Sequence, residues 1–333
     1  MKKQMKRRDF LKLLAGAASI APKGAAAQTT TKIYRLAAFT AGGVGAMAPS
    51  SPSGSLILKA MGEHGYTVGQ NLEYQPFGGD MQLAHLPELA RDIVAQKFDA
   101  VIVAGWPPAA ALKGTGVPTV VASGAGDPVA TGLVASLAHP GGNVTGISDN
   151  AATLSTKRLD LLKQAVPSIH KVAMLWNKND VGMTMRYQAS ADAAKALDVT
   201  VQPLGVGEPN DFSDAFSAMD QDPPDAVLMV SDALTILNRK RVLDYVAAHR
   251  LPAIYENDPL VRDGGLMSYG ADLKESYGHA ASLVDRIFKG ASPADLPFEE
   301  PTHYLFVVNL KTANSIGLKI SPTVLALADE VIE

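Results

Sequence analysis

Short apolar runs alternate with helix-length segments along almost the whole chain, and the alternation occurs twice. Strands are expected at 34–39, 71–75, 100–104 and 119–122, and again at 171–176, 200–203, 226–230, 253–255 and 265–269. Each is a brief run ending in Gly, Pro, Ser, Asn or Asp. Helical spacing fills the intervals: 84–96 carries Leu86, Leu89, Ile93 and Val94 on one face, and 154–165, 184–196, 212–219 and 237–249 behave alike. Repeated strand–helix units imply a parallel sheet with helices on both faces. Two sets imply an α/β chain of two doubly wound lobes. The glycine-rich HPGGNVTG at 139–146 marks the passage between them, with further crossings expected near 264–270 and 297–309. Three crossing strands make a hinge, and a hinge between two such sheets makes a cleft. In sheets of this kind ligands sit beyond the carboxyl ends of the strands.

The first 27 residues are of a different character. MKKQMKRR is basic, 13–20 is apolar, and Ala25-Ala26-Ala27 offers a small-residue cleavage site, the pattern of a secretory signal. Arg7-Arg8 followed by Asp9-Phe10-Leu11-Lys12 fits the twin-arginine export pattern, which predicts a periplasmic location. The segment holds seven of the 30 basic residues and one of the 33 acidic ones, so the remainder is left at 23 against 32, a net charge of −9. A chain this acidic has no electrostatic reason to seek nucleic acid. It has no cysteine, so an exported form relies on its cores rather than on disulfides and has no thiol for a lipid anchor.

Candidate contacts follow from residues at strand ends. The first strand runs into AGGVGAMAPS, which contains Gly43-x-Gly45-x-x-Ala48. A dinucleotide fingerprint also needs an acid at the end of the second strand. Here Glu73 lies inside that strand and nothing acidic follows before Asp80. The alternative use of the same geometry is that Thr40 and backbone N–H groups hold an anionic group such as a carboxylate. Ser123 and Gly124 end the fourth strand, whereas Asp127-Pro128 reads as a helix start. The only two tryptophans, Trp106 and Trp176, each follow or end a strand, one per lobe, as walls for a flat or apolar ligand. Asn177 comes directly after Trp176. Asp232 and Glu256 follow further strands and are candidates for a ligand ammonium, with Tyr255 beside Glu256 and Tyr269 near a crossing. The seven histidines are scattered with no metal-binding spacing, Ser268 lacks the glycine of a nucleophile elbow, and thiol chemistry is excluded, so no catalytic or metal residue is assigned.

The stretches GYTVGQNLEYQ (65–75), SGAGDPVATGLVASLAHPGGNVTGIS (123–148), KRLDLLKQAVP (157–167), GGLMSYGADL (264–273) and the C-terminal block 295–333 together resemble the ABC-transporter substrate-binding proteins of the tryptophan/tyrosine type. The resemblance implies a type I periplasmic-binding-protein fold. It also implies no catalysis, no cofactor, and capture of a small solute for an ABC permease and its ATPase by a monomer. The expected division is a signal at 1–27, an N-terminal lobe of 32–145 plus 271–298, and a C-terminal lobe of 146–270 plus 299–333. The expected ligand is an amino acid, aromatic by preference, or an aromatic carboxylate. An exported NAD(P)-linked oxidoreductase stays open as the alternative, because twin-arginine export carries folded proteins with bound cofactor.

Overall fold

A computed structural model of the protein describes residues 32–148 and 150–333. The expected signal at 1–27 lies outside them. Twelve strands are present among the described residues: β1 (Tyr34–Thr40), β2 (Leu72–Gly78), β3 (Ala100–Ala104), β4 (Thr119–Ser123), β5 (Val144–Gly146), β6 (Lys171–Asn177), β7 (Thr200–Val206), β8 (Ala226–Met229), β9 (Ala253–Tyr255), β10 (Met267–Ala271), β11 (Tyr304–Asn309) and β12 (Glu330–Ile332). They form a five-stranded sheet in the order β2-β1-β3-β4-β5 and a seven-stranded sheet in the order β12-β11-β10-β9-β8-β6-β7. Every pairing is parallel except β10 with β11.

The strands read as unbroken apolar runs because both faces of each sheet are covered. In β1, Leu36 and Ala38 enter one core while Ala37 and Phe39 enter the core on the opposite face. In β6, Val172, Met174 and Trp176 face one core and Ala173 and Leu175 the other. The order of each sheet reverses beside its first strand, at β1–β3 and at β6–β8, and these switch points open crevices at the strand ends.

Chain passages link the sheets. Residues after Gly146 lead to the helix Ala151–Ala165 and the second sheet. After β10 the chain returns, and the helix Leu273–Phe288 buries Tyr277, Ala280, Ala281, Val284 and Phe288 in a core of the first sheet. It then crosses again to β11. The crossing strands are tied together: Ile147 pairs with Glu299, Ser148 N–H donates to Glu299 O at 2.8 Å, and Asp272 N–H donates to His303 O at 3.1 Å.

Several boundaries differ from the sequence expectation for identifiable reasons. β2 continues through Pro76 to Gly78, which is tolerated because β2 is an edge strand and Pro76 needs no outer hydrogen bond. The segment after Gly105 is a helix, Trp106–Leu112, with Pro107 and Pro108 in its first turn, where missing N–H groups cost nothing. The glycine-rich loop after β1 forms a short 3₁₀ turn, Val44–Met47, and the next helix starts only at Pro52 behind the Ser51 cap. No helix N-terminus therefore follows the glycines directly, as a dinucleotide loop requires.

Candidate functional site

The carboxyl ends of both sheets meet around a cavity of about 80 Å³. From the first sheet's side it is lined by Ala122, Ser123 and Gly124 together with Leu273 and Ser276. From the other side come Leu154, Arg158, Arg186, Ser231, Glu256 and Asn257. The volume suits a handful of water-sized groups. The two sides touch around it. Ala233 packs on a core of the first sheet, and Met81 on a core of the second. Gly126 lies so close to Gly182 that a Cβ on Gly126 would sit 3.0 Å from the Gly182 Cα. The Gly126 φ of +67° also favours glycine there.

The floor of the cavity is a buried ion cluster. Glu256 follows β9. Its Oε1 accepts from Arg158 Nη1 at 2.8 Å, and its Oε2 accepts from Arg186 Nη1 at 2.5 Å and from the Ser231 N–H at 3.0 Å. Side-chain exposures of 3%, 4% and 6% for Glu256, Arg158 and Arg186 place all three charges away from bulk water. The arginines come from the packed helices Ala151–Ala165 and Val181–Ala196, each on the buried stripe of its helix. Arg158 Nε also donates to Tyr269 O at 2.6 Å. Burial pulls the Arg158 pKa below its ordinary value, while Glu256 opposes that fall.

A second polar group stands beside the cavity at the ends of β6 and β8. Asn177 Nδ2 donates to Asp232 Oδ2 at 2.5 Å, and Asp232 caps the helix Ala233–Leu237 by accepting from Thr235 N–H at 2.9 Å. Asp180 is 2% exposed and accepts from the Gly182 and Met183 N–H groups at 2.8 and 3.3 Å. Burial, reinforced by the Asp232 charge, pushes the Asp180 carboxyl up to about 7. Burial likewise raises Asp232. Among the described residues no group of three His, Asp or Glu is placed to hold a metal ion.

Of the ten residues singled out in the sequence, Ser123, Gly124 and Glu256 line the cavity. Glu256 is not an open acceptor for an ammonium, because both of its oxygens are engaged. Ser123 is hydrogen-bonded to the Tyr277 hydroxyl. Asn177 and Asp232 bond each other at the cavity's flank. Thr40 turns its Oγ1 back on its own loop, accepting from Gly42 N–H at 3.2 Å.

None of the four aromatic candidates is among the residues lining the cavity. Trp176 is stacked on Tyr187 with centroids 3.8 Å apart, donates to Thr184 Oγ1 at 3.3 Å, and belongs to the core under the helix Val181–Ala196. Its strand parity, shared with Val172 and Met174, turns it to the core rather than to the cavity. Trp106 packs on a core of the first sheet. Tyr255 is fully buried among Leu234, Val242 and Leu260. Tyr269 offers its carbonyl to Arg158, while its ring packs toward Phe306. The sequence reading missed Arg158 and Arg186, although a charged residue on an otherwise apolar helical stripe was a visible signal.

Comparison with known proteins is consistent along the chain. The pattern of the ABC transporter substrate binding protein family matches residues 53–332. A curated relative from Clostridioides difficile, described as a tyrosine-binding protein, is 25% identical over 264 residues, covering 79% of this chain and 76% of its own. Among solved structures, a conserved domain protein from Vibrio cholerae superposes with a TM-score of 0.82 at 22% identity, covering 90% of this chain and all of that one. An ABC domain from Streptococcus pneumonia in complex with L-Trp gives 0.80 at 24%, with the same coverage.

Proposed function

Because the chain belongs to the ABC transporter substrate-binding protein family, we propose that it captures an amino acid or aromatic carboxylate between two lobes and delivers it to an ABC importer. It is a binding protein and not an enzyme, which sets aside the oxidoreductase alternative. The lobes are 32–145 plus 271–298 and 146–270 plus 299–333, and segment 1–27 directs export to the periplasm, where a permease with its ATPase receives the loaded monomer. The solute specificity draws support from the tyrosine-binding relative and from the L-Trp complex.

The observation that carries the reading is the cavity itself. Its lining comes from the strand ends of both sheets, and the crossing strands that join them are few enough to bend. A solute held from both sides interacts more strongly with the closed arrangement than with an open one, and that difference shifts the population toward closure. Ser123 and Gly124 contact the solute from one lobe. From the other lobe the Glu256 cluster provides the polar floor, with Asn177 and Asp232 at its flank.

The test is a thermal-shift and small-angle scattering screen with amino acids, aromatic acids, sugars and polyols. A true ligand at 100 times its dissociation constant adds about 2.7 kcal/mol, an upward shift of roughly 5 °C for a chain of this size. It also reduces the radius of gyration. Turnover of the solute by pure protein, or an unchanged shape with a saturating ligand, contradicts the proposal.

A further inference from the structure

On one wall of the cavity two donor groups have no hydrogen-bond partner among the described residues. Arg158 is held rigidly: Nε donates to Tyr269 O at 2.6 Å and Nη1 to Glu256 Oε1 at 2.8 Å. Those two bonds fix the plane of the guanidinium. Its Nη2 makes no hydrogen bond among the described residues, yet Arg158 lines the cavity and its side chain is 4% exposed. Ser231 lines the same cavity, and its buried Oγ likewise has no partner among the described residues. The Ser231 backbone N–H donates to Glu256 Oε2 at 3.0 Å, so one carboxylate braces both groups. Position 270 carries no side chain: a Cβ there would lie 3.7 Å from Arg158 Nη2 and 2.0 Å from the Glu256 carbonyl oxygen.

Unspent donors are costly in a buried place. A guanidinium edge offers only donors, and a hydroxyl adds another, so the matching group is one that only accepts. A carboxylate does this with two oxygens and a full negative charge, and guanidinium–carboxylate bonds are among the strong ones. We infer that Arg158 Nη2 and Ser231 Oγ form a seat for the carboxylate of the solute, on the lobe opposite Ser123 and Gly124. The inference rests on the solute-binding reading and assigns the residues that hold the solute's carboxylate. It also moves the anion contact from the Thr40 loop, whose hydroxyl is turned back on its own turn, to the second lobe. The seat is preorganised: its guanidinium is oriented by protein bonds, so little side-chain freedom is lost on binding.

Matched pairs test it: benzoate with benzamide, L-tyrosine with L-tyrosinamide, and L-tryptophan with L-tryptophanamide, titrated calorimetrically into the wild-type protein. At least one acid is expected to bind, and its amide at least about 100-fold more weakly, the worth of a charged hydrogen-bonded contact. Arg158→Lys retains a cation for Glu256 but loses the second N–H edge, and is expected to weaken that acid about 30-fold or more. Ser231→Ala removes only the hydroxyl and leaves the backbone bond to Glu256, so it tests the seat even where Arg158→Lys fails to fold. Its expected loss is about tenfold.

An amide that binds as tightly as its acid, no acid of the panel binding, or Ser231→Ala leaving acid affinity unchanged overturns the seat. Native mass spectrometry of the protein as purified separates the two claims. A neutral solute found there refutes the seat and leaves solute binding standing.

Discussion

Replacing Glu256 with Gln removes the charge that two buried guanidiniums share while nearly preserving shape. The structure sets the size of the effect. Glu256 receives one bond from Arg158, one from Arg186 and one from the Ser231 N–H, with its side chain 3% exposed. A hydrogen bond to a charged partner contributes about 1.5–3 kcal/mol, and breaking a buried pair by removing one partner costs about 3–5 kcal/mol. The expected loss is therefore about 3–5 kcal/mol. Urea denaturation followed by tryptophan fluorescence reads it directly, because Trp176 lies in a core of the same sheet. With a slope near 3 kcal/mol/M for a large chain, the midpoint falls by about 1–1.7 M. A second variant separates charge from packing. Converting Arg158, Arg186 and Glu256 together to Met leaves no charge stranded and is expected to recover most of the loss. A Glu256→Gln midpoint within about 0.3 M of wild type refutes the reasoning, and so does a triple variant no more stable than the single one.

Trp176→Ala should behave as a core truncation, costing about 3–5 kcal/mol in the same urea assay while leaving solute affinity of the folded protein unchanged; an affinity loss without a stability loss would return Trp176 to the cavity wall. Gly182→Leu places a side chain where the Ala125 carbonyl oxygen lies 3.4 Å from a bare Cβ. It should lower the closed fraction and weaken solute binding about tenfold or more, as calorimetry will show; the same Cβ would lie 3.3 Å from Asp180 Oδ1, the cap of its own helix, so some loss of stability accompanies it. Asp180 carries a folded-state carboxyl raised from 3.8 to about 7. The folded protein thus binds that proton more tightly than the unfolded chain, and its contribution to stability is full below about pH 4 and declines as pH rises to about 7. Asp180→Asn keeps an acceptor for the helix cap, removes this decline, and should gain a few kcal/mol relative to wild type at pH 8. Parallel stability–pH curves for the two proteins would contradict the assignment.

Much of the architecture was legible because fully buried strands have no polar face to hide them. Nine apolar runs correspond to β1–β4 and β6–β10 within a few residues, and the glycine-rich 139–146 does precede the passage to the second sheet. What escaped has physical causes. β5 and β12 are three residues long, too short for a periodic signal, and β11 pairs antiparallel at a crossing, outside the strand–helix rhythm. The site was less legible. The runs lay within a few residues of the strands, but a residue at or next to a strand's end still obeys the strand's parity, which sends Trp176 and Tyr255 into cores. Conversely, Arg158 shares a helical stripe with Leu154 and Leu162, and Arg186 with Met183, Ser190 and Ala194, all buried. A cation at such a position announces a buried partner. Its identity was hidden because Glu256 lies 98 residues from Arg158 and 70 from Arg186.

Small groups are among the contacts that close the cavity: Gly126 against Gly182 and Gly42 against Ala233, with Met81 packed on the second sheet's core. Apolar burial contributes roughly 25 cal/mol per Å², so pairs of glycines and alanines hold two sheets together only weakly. Moving a two-state equilibrium from 1:99 to 99:1 takes about 5.5 kcal/mol of differential affinity. Glycine contacts cannot supply that, whereas a carboxylate bonded to a fixed guanidinium on one side and to Ser123 or backbone N–H groups on the other can supply much of it. Small residues at the rim and a rigid charged floor are therefore complementary. The rim permits close approach without driving it, and the floor makes closure depend on which solute has entered.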